Sequence, residues 1–526
     1  MPPGGLPAPG RAGAALLAFV LSLGIYLVIM TSIHMAAPGV AQAEYTRGSP
    51  PVQDMVRGKL IQRNYGDIHV RIEKHRGGPR PIFKSMGWLA LFIACFIAIR
   101  RSPALKACHA TLHRGLKRIY PIEFAGFLLA ALLIYGKPGI IDMIPLGEVI
   151  GGIREGINFY TISTLQGQDG HLPIFPYNPP AYFLLGILSE AHGVLTSLGL
   201  PPPQPHALLQ LLLFLVYAGF AANLSRIATD LNLPLLRGRT LYYFILLNPL
   251  GLYYTVFLGQ IDLIAIALLM AGLHRLHAHG ARGSAFLLLL AGLTFAKPQH
   301  LLALPALLLL GIGLSDPREA RQNQLFVAAL AAACVLTYLA FTLAPGFYAA
   351  LGSNPQAPRL AWSTWWTMLS DAIVINRPIA YALISSLLLV YLMPERVRSR
   401  KDLTAVGALG MAFTVASFQA SFAHTFGLAI FLYPAVILIC LGSTSLLKAG
   451  LLSMASLGLV AAWGTGPVGD FTAAFGLQAL SSLPDSVVAG IRYPSLIHST
   501  ETSLYLGFAL LFILQLSRTR TTTTQA

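Results

Sequence analysis

Charged residues are scarce in this chain. Only 11% of its 526 residues are Asp, Glu, Lys or Arg, whereas 55% are hydrophobic. An ordinary soluble domain carries about 25% charged residues, so a water-exposed surface cannot be assembled from this composition. The shortage of charge argues against a soluble enzyme, a nucleic-acid-binding protein and a disordered scaffold, and it favours a protein embedded in a membrane.

Cysteine is also scarce. The four residues Cys95, Cys108, Cys334 and Cys440 form no CxxC pair and have no His partner at metal-binding spacing. The sequence therefore supports neither a disulfide framework nor a zinc site. Because the acidic residues form no cluster with metal-binding spacing either, we expect no metal and no cofactor.

Long apolar runs dominate the chain instead. A bilayer core of about 30 Å takes about 20 helical residues, and fourteen runs approach this length. They are Ala14–Ile33, Met86–Ile99, Ile122–Ile141, Ala207–Ser225, Thr240–Phe257, Asp262–His277, Ser284–Ala296, Gln299–Leu314, Gln324–Ala344, Pro378–Met393, Thr404–Gln419, Thr425–Gly442, Ala449–Thr465 and Thr502–Leu516. The sequence therefore predicts an all-α polytopic membrane protein with about 14 transmembrane helices.

Two apolar stretches are too long for one crossing. At about 1.5 Å per helical residue, Thr240–His277 and Ser284–Leu314 each exceed one membrane thickness. Each is predicted to be a hairpin, with turns near Gly259 and at Lys297. By contrast, Ala181–Leu200 is flanked by prolines and carries two polar residues, and we interpret it as an interfacial or folded-back helix.

The basic residues test this topology. With the N-terminus inside and Ala181–Leu200 not spanning, 21 Lys and Arg residues lie on the inner side and 15 on the outer side. Nine of those 15 belong to the single loop His34–Lys84, and the rest of the chain shows a clear positive-inside bias. This bias places both termini in the cytoplasm.

Acidic residues gather on the outer side of this predicted topology. Four of them, Asp142, Glu148, Glu155 and Asp169, lie in one loop. Asp142 directly follows the apolar run Ile122–Ile141. A carboxylate costs about 2.5–3.5 kcal/mol at the bilayer centre and less at the interface, so its position indicates a function or a partner. The alternative is a solvated residue that caps the following helix.

Aromatic, proline and polar residues occupy the other predicted outer segments. Tyr160, Tyr177 and Tyr182 lie in segments whose proline and aromatic content is incompatible with a regular membrane helix. The outer turns carry Gln260, Asp262, Lys297, Gln299, His300, Arg377 and His424. We expect these groups to line one cavity that faces the outer leaflet. Simpler roles stay open, namely a snorkelling Lys297, a helix-capping Asp262 and an interfacial His424.

The order of several motifs resembles the GT-C superfamily of membrane glycosyltransferases, most closely members that use polyprenyl-phosphate sugars. The resemblance rests on Asp142 with Glu148 six residues later, Tyr-Asn-Pro-Pro-Ala-Tyr at 177–182, Gly-Gln-Ile-Asp at 259–262, Lys-Pro-Gln at 297–299 and the late His424. It spans roughly Tyr120 to His424. The chain departs from the family in its two additional N-terminal helices, its basic loop, and Asn178, which interrupts the Tyr-Pro-Pro pattern.

The resemblance implies an inverting hexosyl- or pentosyltransferase that takes its sugar from a lipid-phosphate donor. The acceptor is a hydroxyl of a glycan, lipid or protein on the outer side of a membrane, with the bacterial inner membrane as the expected location and no nucleic acid involved. The family's first outer loop carries the catalytic base, a place occupied here by Asp142, with Glu148 as the second catalytic acid.

The remaining site residues divide into two predicted groups. Donor phosphate is expected to contact Lys297, Arg377, His424 and His300. Sugar or acceptor is expected to contact Tyr160, Tyr177, Tyr182, Gln260, Asp262 and Gln299.

The resemblance also implies three regions. Residues 1–118 are a two-helix extension with the basic loop, residues 119–442 are a GT-C-like core with a large first outer loop at 142–206 that holds interfacial helices, and residues 443–526 are C-terminal helices with a short tail. Two other functions stay open. A lipid or glycan transporter would place paired charges or broken helices near the bilayer centre, and a polymerase or ligase would use a diphosphate-linked donor.

Overall fold

The computed structural model describes residues 11–36, 41–47, 59–65, 68–74, 81–103, 121–136, 143–153, 157–168, 177–198, 204–230, 242–243, 246, 256, 259, 261–304 and 317–352. Their helices are α1 (Arg11–Ala36), α2 (Pro81–Arg101), α3 (Pro121–Gly136), α4 (Met143–Ile153), α5 (Phe159–Gln168), α6 (Pro179–Ser197), α7 (Pro205–Asp230), α8 (Asp262–His279), α9 (Arg282–Thr294), α10 (Pro317–Ala340) and α11 (Phe347–Gly352). Short 3-10 helices cover Pro298–Ala303 and Phe341–Leu343.

Three of the described helices are long and apolar enough to cross a membrane. The stretches are Ala15–Ser32 in α1, Pro205–Asn223 in α7, and Arg321–Leu343 over α10 and the 3-10 helix after it. Apolar side chains on α1, α3 and α10, including Leu16, Leu132 and Leu336, are exposed, as in helices that face lipid. These helices are compatible with a helical membrane protein.

The described residues cover only part of the predicted set of spans. Shorter apolar helices lie at Leu89–Arg100, Pro121–Ile134 and Arg282–Thr294. Every predicted run from Pro378 onward, and most of Thr240–Phe257, falls outside the described residues. The predicted region boundaries at residues 118 and 442 also fall outside them.

The basic segment after α1 contains a three-stranded antiparallel sheet, which the all-α prediction did not include. The strands are β1 (Ala41–Arg47), β2 (Lys59–Tyr65) and β3 (Ile68–Lys74), in the order β1-β3-β2. Ile72 of β3 lies opposite Ala43 of β1 and Ile61 of β2. Apolar and polar residues alternate along β3, and Val70 is buried.

Contacts divide the chain into two units. The first unit takes in Met1–Gln166 and Tyr182–Leu211, and the second takes in Gly167–Ala181 and Leu212–Ala526. In the first unit, α1 packs against α2 through aromatic side chains. The ring of Phe92 lies edge-on to Phe19, with centroids 5.4 Å apart, and also to Tyr26, at 6.2 Å.

A tight helical hairpin, α8–α9, organises the second unit. The chain turns at Gly280, whose φ of 58° lies in the left-handed region and whose N–H donates to the carbonyl of Arg275, a common glycine ending of a helix. The two helices then approach closely. A Cβ on Gly292 would lie 2.6 Å from Cγ of Leu269 and 2.8 Å from the carbonyl oxygen of Ala265. Only glycine permits this contact, and small residues play the same part at helix contacts in membranes.

Candidate functional site

A buried ion pair joins the two helices of the α8–α9 hairpin at the end opposite its turn. Asp262 is the first residue of α8, and Lys297 follows the end of α9 by three residues. Because the two helices run antiparallel, these residues meet although 35 positions separate them. Nζ of Lys297 donates to Oδ2 of Asp262 over 2.7 Å. The Asp262 side chain is 4% exposed and that of Lys297 is 24% exposed, so one end of the pair is more accessible than the other.

Local sequence explains why the chain turns at Lys297. The residue has extended dihedral angles, φ −142° and ψ 149°, and Pro298 begins the 3-10 helix that follows. A proline disfavours helical angles in the residue before it, so Lys297 cannot extend α9. The helix therefore stops near the predicted turn, while the predicted span Gln299–Leu314 begins instead as the 3-10 helix Pro298–Ala303.

His300 lies on the other side of the Asp262 carboxylate. Its Nε2 is 3.1 Å from Oδ1 of Asp262, and its side chain is fully buried. Burial lowers the pKa of His300 to about 4, because it disfavours the charged ring. The Asp262 carboxylate raises this pKa and the Lys297 ammonium lowers it, both by less than burial does. At neutral pH the imidazole of His300 is therefore neutral beside the Asp262–Lys297 ion pair.

The aromatic ring of Tyr177 covers Lys297. Nζ of Lys297 is 5.4 Å from the ring centroid, within the roughly 6 Å reach of a cation–π interaction. Tyr177 is itself buried. An ammonium group has three N–H donors, and Asp262 accepts from one of them. The described contacts of Lys297 therefore allow its ammonium group to donate a hydrogen bond to one more anionic oxygen.

Asn178 connects Tyr177 to the end of α9. The Asn178 backbone N–H donates to the carbonyl of Ala296 over 2.8 Å. Its side-chain Nδ2 donates to the carbonyl of Thr294 and to the hydroxyl of Tyr338, each over 2.9 Å. The residue is completely buried. Sequence reasoning treated Asn178 only as an interruption of a motif, although an Asn before two prolines is a common helix-start signal.

The other two predicted tyrosines belong to an aromatic cluster of the first unit. The rings of Tyr160 and Tyr182 meet edge-to-face with centroids 4.7 Å apart. Phe159 stacks on Tyr182 at 6.4 Å. Burial, together with the nearby Tyr182, raises the pKa of the Tyr160 hydroxyl. Both tyrosines are buried, and their role as substrate contacts stays a prediction.

The predicted catalytic acids are only partly covered. Asp142 lies outside the described residues, and Glu148 lies in α4 without a described side chain. Its neighbour Gly147 packs against His206, since a Cβ at this glycine would lie 3.5 Å from atoms of the histidine. His206 is a buried residue that sequence reasoning did not single out.

Four further predicted residues cannot be placed as side chains. Gln260, Arg377 and His424 lie outside the described residues, and Gln299 belongs to the 3-10 helix without a described side chain. Within the described part of the chain, no group of three His, Cys, Asp or Glu side chains has the arrangement needed to hold a metal ion.

The chain matches no protein-family model, no curated protein and no solved structure. The resemblance to GT-C glycosyltransferases therefore rests on the sequence motifs. Four residues of the predicted site, Tyr177, Asp262, Lys297 and His300, lie together in the second unit.

Proposed function

We propose that this protein is a membrane glycosyltransferase that moves a sugar from a polyprenyl-phosphate donor to an acceptor hydroxyl. The observation that supports it most is the cluster of Lys297, Asp262 and Tyr177 at the open end of the α8–α9 hairpin. In this proposal the chain has about fourteen transmembrane helices with both termini in the cytoplasm. The site then faces the outer side of a bacterial inner membrane.

Lys297 is the proposed cation for the departing lipid phosphate. Negative charge grows on the phosphate as its bond to the sugar breaks, and a positioned cation stabilises this transition state more than the ground state. Asp262 fixes the ammonium through a 2.7 Å hydrogen bond. A neutral imidazole has one N–H donor. In His300 this donor faces the Asp262 carboxylate over 3.1 Å, so the ring supports the ion pair without adding a second positive charge. Arg377 and His424 complete the proposed phosphate contacts.

Asp142 is the proposed general base. An acceptor hydroxyl is a poor nucleophile until a carboxylate takes its proton during the attack on the anomeric carbon, and such catalysis contributes typically about 10²–10⁴-fold. One carboxylate acts and no covalent sugar intermediate forms, so the anomeric centre inverts. Glu148 is the second proposed acid, and Tyr160, Tyr177, Tyr182, Gln260, Asp262 and Gln299 are the proposed sugar and acceptor contacts.

The test supplies membranes containing the protein with a panel of polyprenyl-phosphate sugars and measures sugar transfer. Asp142→Asn is expected to lower the rate by about 10²–10⁴-fold. Lys297→Met is expected to lower it by about 10²–10³-fold, the effect of losing one positioned group that stabilises transition-state charge. Glu123→Gln, an acid in the first turn of α3, is the matched control and should retain full activity. Full transfer by Asp142→Asn, Glu148→Gln and their double variant would refute the acid assignment.

A transporter of lipid-linked sugars is the second candidate. It is favoured by one observation: three residues after α9 the chain has an extended residue, Lys297, that takes part in a buried ion pair. Broken helices and intramembrane charge pairs are typical of transporter binding sites. Reconstituted vesicles separate the two functions. Movement of intact donor lipid across the bilayer without sugar transfer would favour the transporter.

A further inference from the structure

We infer that Asn178 is a positioning residue that fixes the Lys297 ammonium in place. It does so by holding Tyr177 and the end of α9 together. The inference rests on the proposed function, because it assigns a supporting residue to the proposed phosphate-binding cation. Asn178 itself is buried and touches neither the Asp262 carboxylate nor the Lys297 ammonium in any described contact.

The first part of the argument concerns the end of α9. The last carbonyls of a helix have no partner within the helix and need donors from elsewhere. Asn178 supplies two donors there, its side-chain Nδ2 to Thr294 and its backbone N–H to Ala296. Ala296 immediately precedes Lys297. The hydrogen bond to its carbonyl therefore restrains the peptide group from which the lysine projects.

The second part concerns the ring over the ammonium. Tyr177 directly precedes Asn178, so the bonds that hold Asn178 also hold the Tyr177 backbone. Pro179 and Pro180 follow, and their fixed φ angles restrict this segment further. The ring centroid consequently stays 5.4 Å from Nζ of Lys297. The backbone of Lys297 and the ring that covers its side chain thus depend on the same residue.

The third part concerns α10. The Tyr338 hydroxyl accepts the second bond from Nδ2 of Asn178, and the Tyr338 carbonyl accepts a bond from the hydroxyl of Tyr348. Asn178 therefore links the segment that carries Tyr177, the end of α9 and α10 within the second unit. Because it is completely buried, loss of its amide leaves the Thr294 carbonyl without this donor, away from water, which is the costly way to lose a hydrogen bond.

The experiment measures how fast an amine-acylating reagent modifies Lys297 in the purified full-length protein, with peptide mass spectrometry as readout. Asn178→Ala should raise the rate about fivefold, the factor expected for a hydrogen bond of typical net strength, because the ring no longer covers the ammonium. Tyr338→Phe, which removes one acceptor at little cost in volume, should raise it less. Asn223→Ala is the matched control, since Asn223 is a second asparagine of this unit, is partly buried, and lies 3.0 Å from the His274 ring nitrogen.

Asn223→Ala should leave the Lys297 modification rate unchanged. An unchanged rate in Asn178→Ala and Tyr338→Phe would overturn the inference. An equal rise in all three variants would overturn it too, because that result indicates general loosening. The readout needs no sugar transfer. If the proposed function fails, wild-type protein transfers no sugar, yet the modification rates still decide the role of Asn178. If both hold, Asn178→Ala should lower kcat more than it raises the KM for the donor, because Lys297 is proposed to act mainly in the transition state.

Discussion

Removing either partner of the Asp262–Lys297 pair should have unequal effects on stability. Lys297→Met leaves a carboxylate that is 4% exposed without its cation. Loss of one partner of a buried pair costs about 3–5 kcal/mol. Asp262→Asn leaves an ammonium that is 24% exposed and can turn toward water. Its cost should be about 1.5–3 kcal/mol, the range for a hydrogen bond to a charged group.

The free energy of unfolding of both variants can be measured in mixed detergent micelles by denaturant titration, with helix content followed by circular dichroism. Lys297→Met should be less stable than Asp262→Asn by about 1 kcal/mol or more. The double variant should recover most of the Lys297→Met loss, because no isolated charge remains. Equal losses in the single variants, or a double variant whose loss equals their sum, would refute the idea that burial of the carboxylate decides the asymmetry.

Two further predictions concern His300 and the hairpin glycines. The pKa of His300 is about 4 in the folded protein, below the ordinary 6.5. Between these two pH values the unfolded chain binds a proton that the folded protein does not. The free energy of unfolding therefore falls as the pH drops from about 6.5 to 4, by up to about 1.4 kcal/mol per pH unit. His300→Gln should flatten this dependence in pH-dependent unfolding, and parallel profiles would contradict the assignment. Gly292→Ala should cost about 1–3 kcal/mol, because its Cβ would meet Leu269 at 2.6 Å. Gly283→Ala, where a Cβ meets nothing within 4 Å, should be neutral or stabilising by up to about 1 kcal/mol, and equal melting temperatures for the two variants would argue against close packing.

The apolar helices could be predicted because length and composition are local properties. The predicted run Ala14–Ile33 nearly coincides with the membrane-length stretch Ala15–Ser32, and Ala207–Ser225 overlaps Pro205–Asn223. The sheet was missed although its signal is equally local. Apolar residues alternate with polar ones along Ile68–Lys74, and this period is typical of a strand, whereas the charge and length of the segment indicate only a basic loop.

Individual site residues could be predicted from the sequence, whereas the contacts between them could not. Asp262 and Lys297 were singled out as polar residues at predicted turns, and their meeting depends on the register of the α8–α9 hairpin. Asn178 bonds to partners 116 and 160 residues away. Nothing near Asn178 in the sequence indicates these partners, because they follow from how α9 and α10 pack.

The α8–α9 hairpin has a mechanical consequence. Sliding α9 along α8 by one helical turn is a step of about 5.4 Å, far more than the 2.7 Å hydrogen bond between Lys297 and Asp262 can stretch. The same step would replace Gly292 at the helix contact by a residue with a side chain. That side chain would clash with Leu269 and Ala265, which pack against Gly292. Shear between these two helices is therefore blocked at the ion pair and at Gly292. Any motion of this part of the protein must move the two helices of the hairpin together as a rigid body.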